Sequence, residues 1–151
     1  MGREHRISAG AIVIQEGKIL LVRYKNNNGD TFLVGPGGGS MNEEGVNQTV
    51  VREVREETGL EVSPKRILFV EDLLSRQYRI VKIWFLCNII GGQLDRTKGA
   101  VEEGITEAGW YAKEQLYNEI VYPPTLLSQD WNAFFKDTWE TMYLELRDAN
   151  F

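Results

Sequence analysis

Three observations predict an α/β layered domain built on a mixed β-sheet. Residues 7–14 and 18–24, then 62–74 and 78–90, are β-rich runs that come in two pairs, each joined by a short polar turn. A helical stretch lies between the pairs, with Val46, Val50 and Val54 repeating every four residues as its buried stripe. Ile83-Trp84-Phe85-Leu86-Cys87 is apolar almost without alternation, which suits a central strand covered on both faces. With 151 residues, 42% hydrophobic and 26% charged, the chain is large enough for a real core, and a single domain over 1–151 is expected.

The elements follow in order. Ile7 to Ile14 and Lys18 to Tyr24 form a hairpin around Gln15-Glu16-Gly17, and Asn26 to Asp30 is a polar surface loop near the site mouth. Thr31 to Val34 is a short strand that delivers Gly35-Pro36-Gly37-Gly38-Gly39. Asn42 is the expected N-cap of the helix, with Glu43 and Glu44 in a first turn where the dipole favours negative charge. Thr49, Val50 and Val51 are mediocre helix formers, so packing must hold this helix, and Gly59 ends it in the left-handed conformation. A second hairpin turns at Ser75-Arg76-Gln77, and residues 91–107 read as a polar loop carrying Glu102 and Glu103. Residues 108–111 read as a strand and 113–116 as a helical turn. After Pro123-Pro124 a C-terminal helix is expected over about 126–146, with Trp131, Phe134, Phe135, Thr138, Trp139, Met142, Tyr143 and Leu146 on one side. That stripe reads as packing on the sheet, with a homodimer contact as the alternative.

Chemistry concentrates in Arg52-Glu53-Val54-Arg55-Glu56-Glu57-Thr58-Gly59-Leu60. Glu53, Glu56 and Glu57 are spaced i, i+3, i+4, so their carboxylates share one helix face, near the C-terminal end where the macrodipole disfavours them. On an exposed helix such neighbours cost only about 0.2–0.5 kcal/mol per pair, and Arg52 and Arg55 would neutralise them. In a cleft, at an effective dielectric near 20 and roughly 5 Å, each pair would repel by about 3 kcal/mol. A hard divalent cation relieves that repulsion, and Mg²⁺ binds through such carboxylates together with substrate phosphates.

Read from Gly38, the sequence fits Gly-x5-Glu-x7-Arg-Glu-U-x-Glu-Glu-x-Gly-U, where U is a bulky aliphatic residue. Gly38, Glu44, Arg52, Glu53, Val54, Glu56, Glu57, Gly59 and Leu60 fill every defining position. The segment 38–60 therefore resembles the Nudix box, and the order of elements over roughly 7–116, with a strand around Trp110, resembles the Nudix α/β/α sandwich. Glu43 and Asn42 stand where the family often has glycine and proline, outside the defining positions.

The resemblance implies a hydrolase that cleaves a pyrophosphate bond in a nucleoside diphosphate linked to another moiety. A nucleoside triphosphate, a dinucleoside polyphosphate and a nucleotide sugar all remain open. It implies Mg²⁺ or Mn²⁺ on Glu53, Glu56 and Glu57, orientation of these carboxylates by Arg52, and close backbone approach of Gly37, Gly38 and Gly39 to metal and phosphate. Family members take their general base from a box glutamate or from a later loop. Glu103 is the loop candidate here, with Glu102 open because the spacing to Trp110 is about one residue longer than the family leads one to expect. Relatives that cleave ADP-ribose often carry a proline some fifteen residues past the box, where Ser75 and Arg76 stand, and Tyr78 lies where dinucleoside polyphosphate hydrolases often have a tyrosine. The isopentenyl diphosphate isomerase branch is disfavoured, since no cysteine matches its catalytic position. A catalytically inactive Nudix-like nucleotide sensor is the alternative, though such modules usually lose a box glutamate; a plain cation-binding or structural protein is a further one.

Composition narrows the rest. A formal net charge of −5 speaks against binding a nucleic acid polymer, which selects for a basic face. The sole histidine, His5, is near a terminus, and the sole cysteine, Cys87, lies in an apolar run and reads as a buried small hydrophobe. Chemistry built on a histidine base or an internal disulfide is thereby disfavoured. No signal peptide or membrane-length apolar segment is seen, so a cytoplasmic location without membrane attachment is expected.

Overall fold

The structure is a computed structural model, and it describes residues 2–95 and 97–149. Strands β1 (Glu4–Ile12), β2 (Ile14–Gln15), β3 (Lys18–Lys25), β4 (Thr31–Val34) and β5 (Gly37–Gly39) precede helix α1 (Val46–Thr58). The long hairpin β6 (Leu60–Leu74) and β7 (Tyr78–Gly92) follows, then a short helix α2 (Lys98–Glu102) and β8 (Ile105–Ala112). Beyond a 3-10 turn at Lys113–Leu116 come β9 (Val121–Tyr122), 3-10 turns at Pro124–Leu127 and Trp131–Phe135, and β10 (Met142–Asp148).

Two mixed sheets result, in the orders β10-β6-β7-β1-β5 and β2-β3-β4-β9, with β8 also paired to β3. β7 is the central strand of the first, antiparallel to β6 and parallel to β1. Both its faces are covered. Trp84 and Leu86 pack with Ile12, Leu21, Leu33 and Phe134, whereas Phe85 and Cys87 pack with Val50 and Val54 of α1. The unbroken apolar run of β7 therefore serves two cores, and the Cys87 thiol, pushed up to about 12 by burial, is chemically quiet. Among the described residues no helix is long and apolar enough to cross a membrane.

Three expectations need correction. The N-cap of α1 is Gly45, three residues after Asn42; the Gln48 side chain accepts the Gly45 N–H at 2.9 Å. Glu44 does not serve the helix dipole, because Arg52 and Thr49 hold its carboxylate, and the turn in which the Glu44 N–H reaches the Met41 carbonyl at 3.0 Å delays the helix. The segment 91–107 is no continuous loop: β7 runs to Gly92, and Thr97 caps α2 by accepting the Ala100 N–H at 3.0 Å.

The largest correction is at the C-terminus. No helix spans 126–146; the segment makes two 3-10 turns and then β10, parallel to β6 with Met142 opposite Phe69. Asp130 caps the turn at Trp131 by accepting the Asn132 N–H at 3.0 Å, and the backbone is extended at Lys136. From Met142 the chain alternates, with Met142 and Leu144 inward against the core and Tyr143 and Glu145 outward. Pairing with the otherwise open edge of β6 satisfies a row of backbone groups that a helix would leave exposed. Part of the expected stripe still reaches the core, since Trp131 and Phe134 are buried and Trp139 packs against them, whereas Phe135, Tyr143 and Leu146 are exposed.

Candidate active site

The glycine strand and α1 meet face to face. β5 pairs antiparallel with β1, Gly38 opposite Ala9 and Gly37 opposite Gly10. A Cβ on Gly37 would lie 2.4 Å from the Ala9 carbonyl oxygen, and one on Gly38 would lie 2.6 Å from Glu53 Oε1. Only glycine lets the strand come this close to the helix's carboxylates. At the other end of α1, Gly59 takes φ 81° and its N–H closes on the Arg55 carbonyl at 2.9 Å, which turns the chain directly into β6.

Glu57 is fully buried. Its Oε1 accepts the Gly37 N–H at 2.7 Å and its Oε2 accepts the Tyr24 hydroxyl at 2.9 Å. Burial pushes its carboxyl well above the usual range, and the neighbouring carboxyls of Glu103 and Glu53 push it further. Glu53 is 6% exposed, and its carboxyl is raised by burial first and by Glu103 next. Glu53 Oε1 accepts from Arg52 at 3.0 Å, whereas Glu53 Oε2 is buried with no hydrogen-bond partner among the described residues. Glu103, exposed at the end of α2, completes the group: Glu53, Glu57 and Glu103 each offer a carboxylate oxygen, all within 4.8 Å of one another.

Arg52 is the hub behind them. Its Nε and Nη2 grip Glu44 at 2.8 and 2.9 Å, Nη1 reaches Glu53 at 3.0 Å and Glu56 at 3.2 Å, and Nη2 also donates to the Gly39 carbonyl at 3.1 Å. A planar five-donor fork can serve all these acceptors at once; an ammonium cannot. The same contact holds the Glu44 carboxyl down at about 2, with Thr49 assisting. The Glu56 carboxylate is tied to this guanidinium and lies outside the close group of three. Glu102 is exposed and belongs neither to that group nor to the Arg52 network.

Beside the carboxylates opens a cleft of about 380 Å³, lined among others by Arg6, Ser8, Tyr24, Phe32, Gly38 and Lys82. The Tyr24 and Phe32 rings stack with centroids 5.4 Å apart, and Tyr122 meets Phe32 edge-on at 5.5 Å. Asn26, in the expected polar loop, lines the same cleft.

These carboxylates fit a hard divalent cation. Two oxygens on opposite sides of an Mg²⁺ ion, each at about 2.1 Å, are about 4.2 Å apart, so the three donors already lie near coordination distance. The unpartnered Glu53 oxygen is the stronger sign. A buried carboxylate oxygen left without a donor is costly, and a cation removes that cost.

Of the residues singled out from sequence, Glu53, Glu57, Arg52, Gly37, Gly38 and Glu103 come together, while Glu56 stands at the edge with Arg52. Sequence reasoning missed Tyr24 as a donor to Glu57, Glu44 as the main partner of Arg52, and Lys82 in the cleft wall. Only Glu44 carried a signal, as a defining position of the motif.

Comparison with known proteins gives a consistent picture. A profile of the NUDIX domain matches residues 4–133. A protein of Methanocaldococcus jannaschii named ADP-ribose pyrophosphatase is 36% identical over 98 residues, which cover 64% of this chain and 58% of that protein. The match thus spans less than two thirds of the relative's length. A crystal structure of an ADP-ribose pyrophosphatase from Streptococcus suis superposes with a TM-score of 0.69 at 25% identity, covering 92% of this chain and 98% of that one. A NUDIX hydrolase from Nitrosomonas europaea superposes with a TM-score of 0.70 at 21% identity, over 83% and 85% of the two chains, and shares the fold.

Proposed function

The chain belongs to the NUDIX domain family, and from that premise we propose that it is a divalent-metal-dependent pyrophosphohydrolase acting on a nucleoside diphosphate linked to another moiety. One observation carries the reading: Glu53, Glu57 and Glu103 converge within 4.8 Å, and a buried Glu53 oxygen there has no hydrogen-bond partner among the described residues. The metal is Mg²⁺ or Mn²⁺, which hard oxygen donors favour. Within the substrate class, ADP-ribose is the first compound to test, because two of the relatives carry that name.

When bound, the cation supplies the positive charge that the phosphate oxygens need as a phosphorus–oxygen bond breaks. The chain's own residues do the rest. Arg52 orients the Glu53 and Glu56 carboxylates and ties them to the glycine strand through the Gly39 carbonyl. The Gly37 N–H and the Tyr24 hydroxyl fix both oxygens of Glu57, so that carboxylate cannot swing away. Gly37, Gly38 and Gly39 keep side chains out of the path of the pyrophosphate. Glu103, the exposed member of the three, takes the proton of the attacking water, a role that Glu56 or Glu102 would fill if Glu103 only binds metal.

The test is a panel of ADP-ribose, a nucleotide sugar, a nucleoside triphosphate and a dinucleoside polyphosphate, incubated with Mg²⁺ at mildly alkaline pH while phosphate-containing products are measured. Turnover of at least one compound that disappears in Glu56→Gln or Glu57→Gln supports the reading. Tight nucleotide binding with no turnover of any would replace it with the sensor.

A further inference from the structure

The cleft beside the carboxylates has in its wall a lysine that no ion pair closes on among the described residues. Lys82 lies on the central strand β7, with Ser8 of β1 and Glu71 of β6 beside it in register. Its Nζ lies 4.2 Å over the Trp84 ring. Glu71 is already engaged. One of its oxygens accepts the Trp84 Nε1–H at 3.0 Å, and the other accepts the Arg147 Nε–H at 3.0 Å and forms an ion pair with Nη2 at 3.0 Å. Two cations, Arg147 and Lys82, thus face one carboxylate. Arg6 adds a third positive group: it lines the same cleft from β1, opposite Ile80 and two residues from Ser8 on the same strand face, its guanidinium 4.0 Å over the Tyr78 ring.

Burial works against the Lys82 charge, and the carboxylates of Glu71, Glu57 and Glu53 support it, in that order. A divalent cation bound to Glu53 and Glu57 would neutralise their charge, leaving Lys82 and Arg6 as positive charges still to be met in the cleft that they line. We propose that Lys82, assisted by Arg6, is the phosphate-binding wall of the cleft. It grips the end of a pyrophosphate group whose other end lies at the metal carboxylates, so the substrate's phosphates run across the β1–β7 strands. The proposal rests on the pyrophosphohydrolase reading for the metal end, and its test separates the two.

The probe is imidodiphosphate, a pyrophosphate analogue that is not hydrolysed, titrated calorimetrically with Mg²⁺ present against wild type, Lys82→Met, Lys82→Arg and Arg6→Met. The expected result is a loss of roughly tenfold or more in Lys82→Met, a smaller loss in Arg6→Met, and binding within a few-fold of wild type in Lys82→Arg. Mg²⁺ binding without phosphate should stay within about twofold in every variant. In turnover, Lys82→Met should raise KM while kcat changes little, because the contact holds substrate and transition state alike. Lys82→Gln replaces the methionine variant if that one fails to fold. Unchanged imidodiphosphate binding in Lys82→Met overturns the proposal. So does a change in Mg²⁺ binding alone as large as the change with phosphate, since Lys82 would then serve only the carboxylates. Imidodiphosphate binding that depends on Lys82, in a protein that hydrolyses nothing in the substrate panel, upholds this wall and sinks the hydrolase reading.

Discussion

Glu53 on α1 is 6% exposed and Glu71 on β6 is 1% exposed. Glu71 comes with its own cation and a donor: Arg147 from β10 and the Trp84 indole occupy both its oxygens. Glu53 is half-served, since Arg52 takes one oxygen and the other faces Gly38 and its fellow carboxylates with no donor among the described residues. The pair separates two uses of a buried charge. A carboxylate that holds the fold together is closed by the protein, as Glu71 is. On the proposed reading, Glu53 is a carboxylate kept open for a ligand, and the fold bears the cost of leaving it so.

The largest effect that would break or sharpen this contrast is a matched pair of substitutions. Glu53→Gln should lower kcat/KM by roughly 10²–10³ with the fold retained, because it removes a carboxylate that would hold the cation on which the transition state's charge depends. Glu71→Gln should instead destabilise by about 3 kcal/mol, leaving the half-buried Arg147 with half its partner, while activity per folded molecule survives. Kinetics and denaturant unfolding on both variants decide it; equal profiles for the two would erase the distinction.

Gly38→Ala comes next. The added Cβ would lie 2.6 Å from Glu53 Oε1, so the carboxylate must move away from its fellows. A fall of about 100-fold in activity is expected, with far-UV circular dichroism unchanged. Arg52→Lys should cost about tenfold, since an ammonium cannot hold Glu44 bidentately and reach Glu53, Glu56 and the Gly39 carbonyl as well.

The smallest effect is on pH dependence, and it has opposite signs at the two ends of Arg52. The Glu44 carboxyl is lowered to about 2, so the stability it contributes is present above the ordinary carboxylate range near 4.5 and is lost as pH falls towards 2. The Glu53 and Glu57 carboxyls are raised, so what they contribute in metal-free protein is fully present below that ordinary range and is lost as pH rises through their elevated values. Thermal unfolding of metal-free protein across acid to neutral pH should show stability rising from pH 2 and then a decline at higher pH. Glu53→Gln should weaken that decline, and Glu44→Gln should flatten the acid limb.

What could be read in advance follows the same division. The chemistry of α1 constrains its residues one by one, so Arg52, Glu53, Glu57, Gly38 and Gly59 were legible from spacing and motif. Glu103 was legible as a candidate, but its approach to Glu57 depends on α2, which Thr97 caps and which looked like loop. Lys82 was invisible because its meaning lies in register: it is a lysine in a strand until Glu71 and Ser8 are placed on either side of it. The C-terminal segment misled because aromatic residues are dense enough there to fit helical spacing. The alternation from Met142 to Glu145, together with the open edge of β6, decided for a strand.

The most direct test of the central claim, that Glu53 keeps an open oxygen for a divalent cation, is a calorimetric titration of Mg²⁺ or Mn²⁺ into wild type and Glu53→Gln at neutral pH. The account predicts a saturable site in wild type that weakens at least tenfold in the variant, while Glu71→Gln, where it remains folded, binds as wild type does. Equal metal binding by wild type and Glu53→Gln would contradict it.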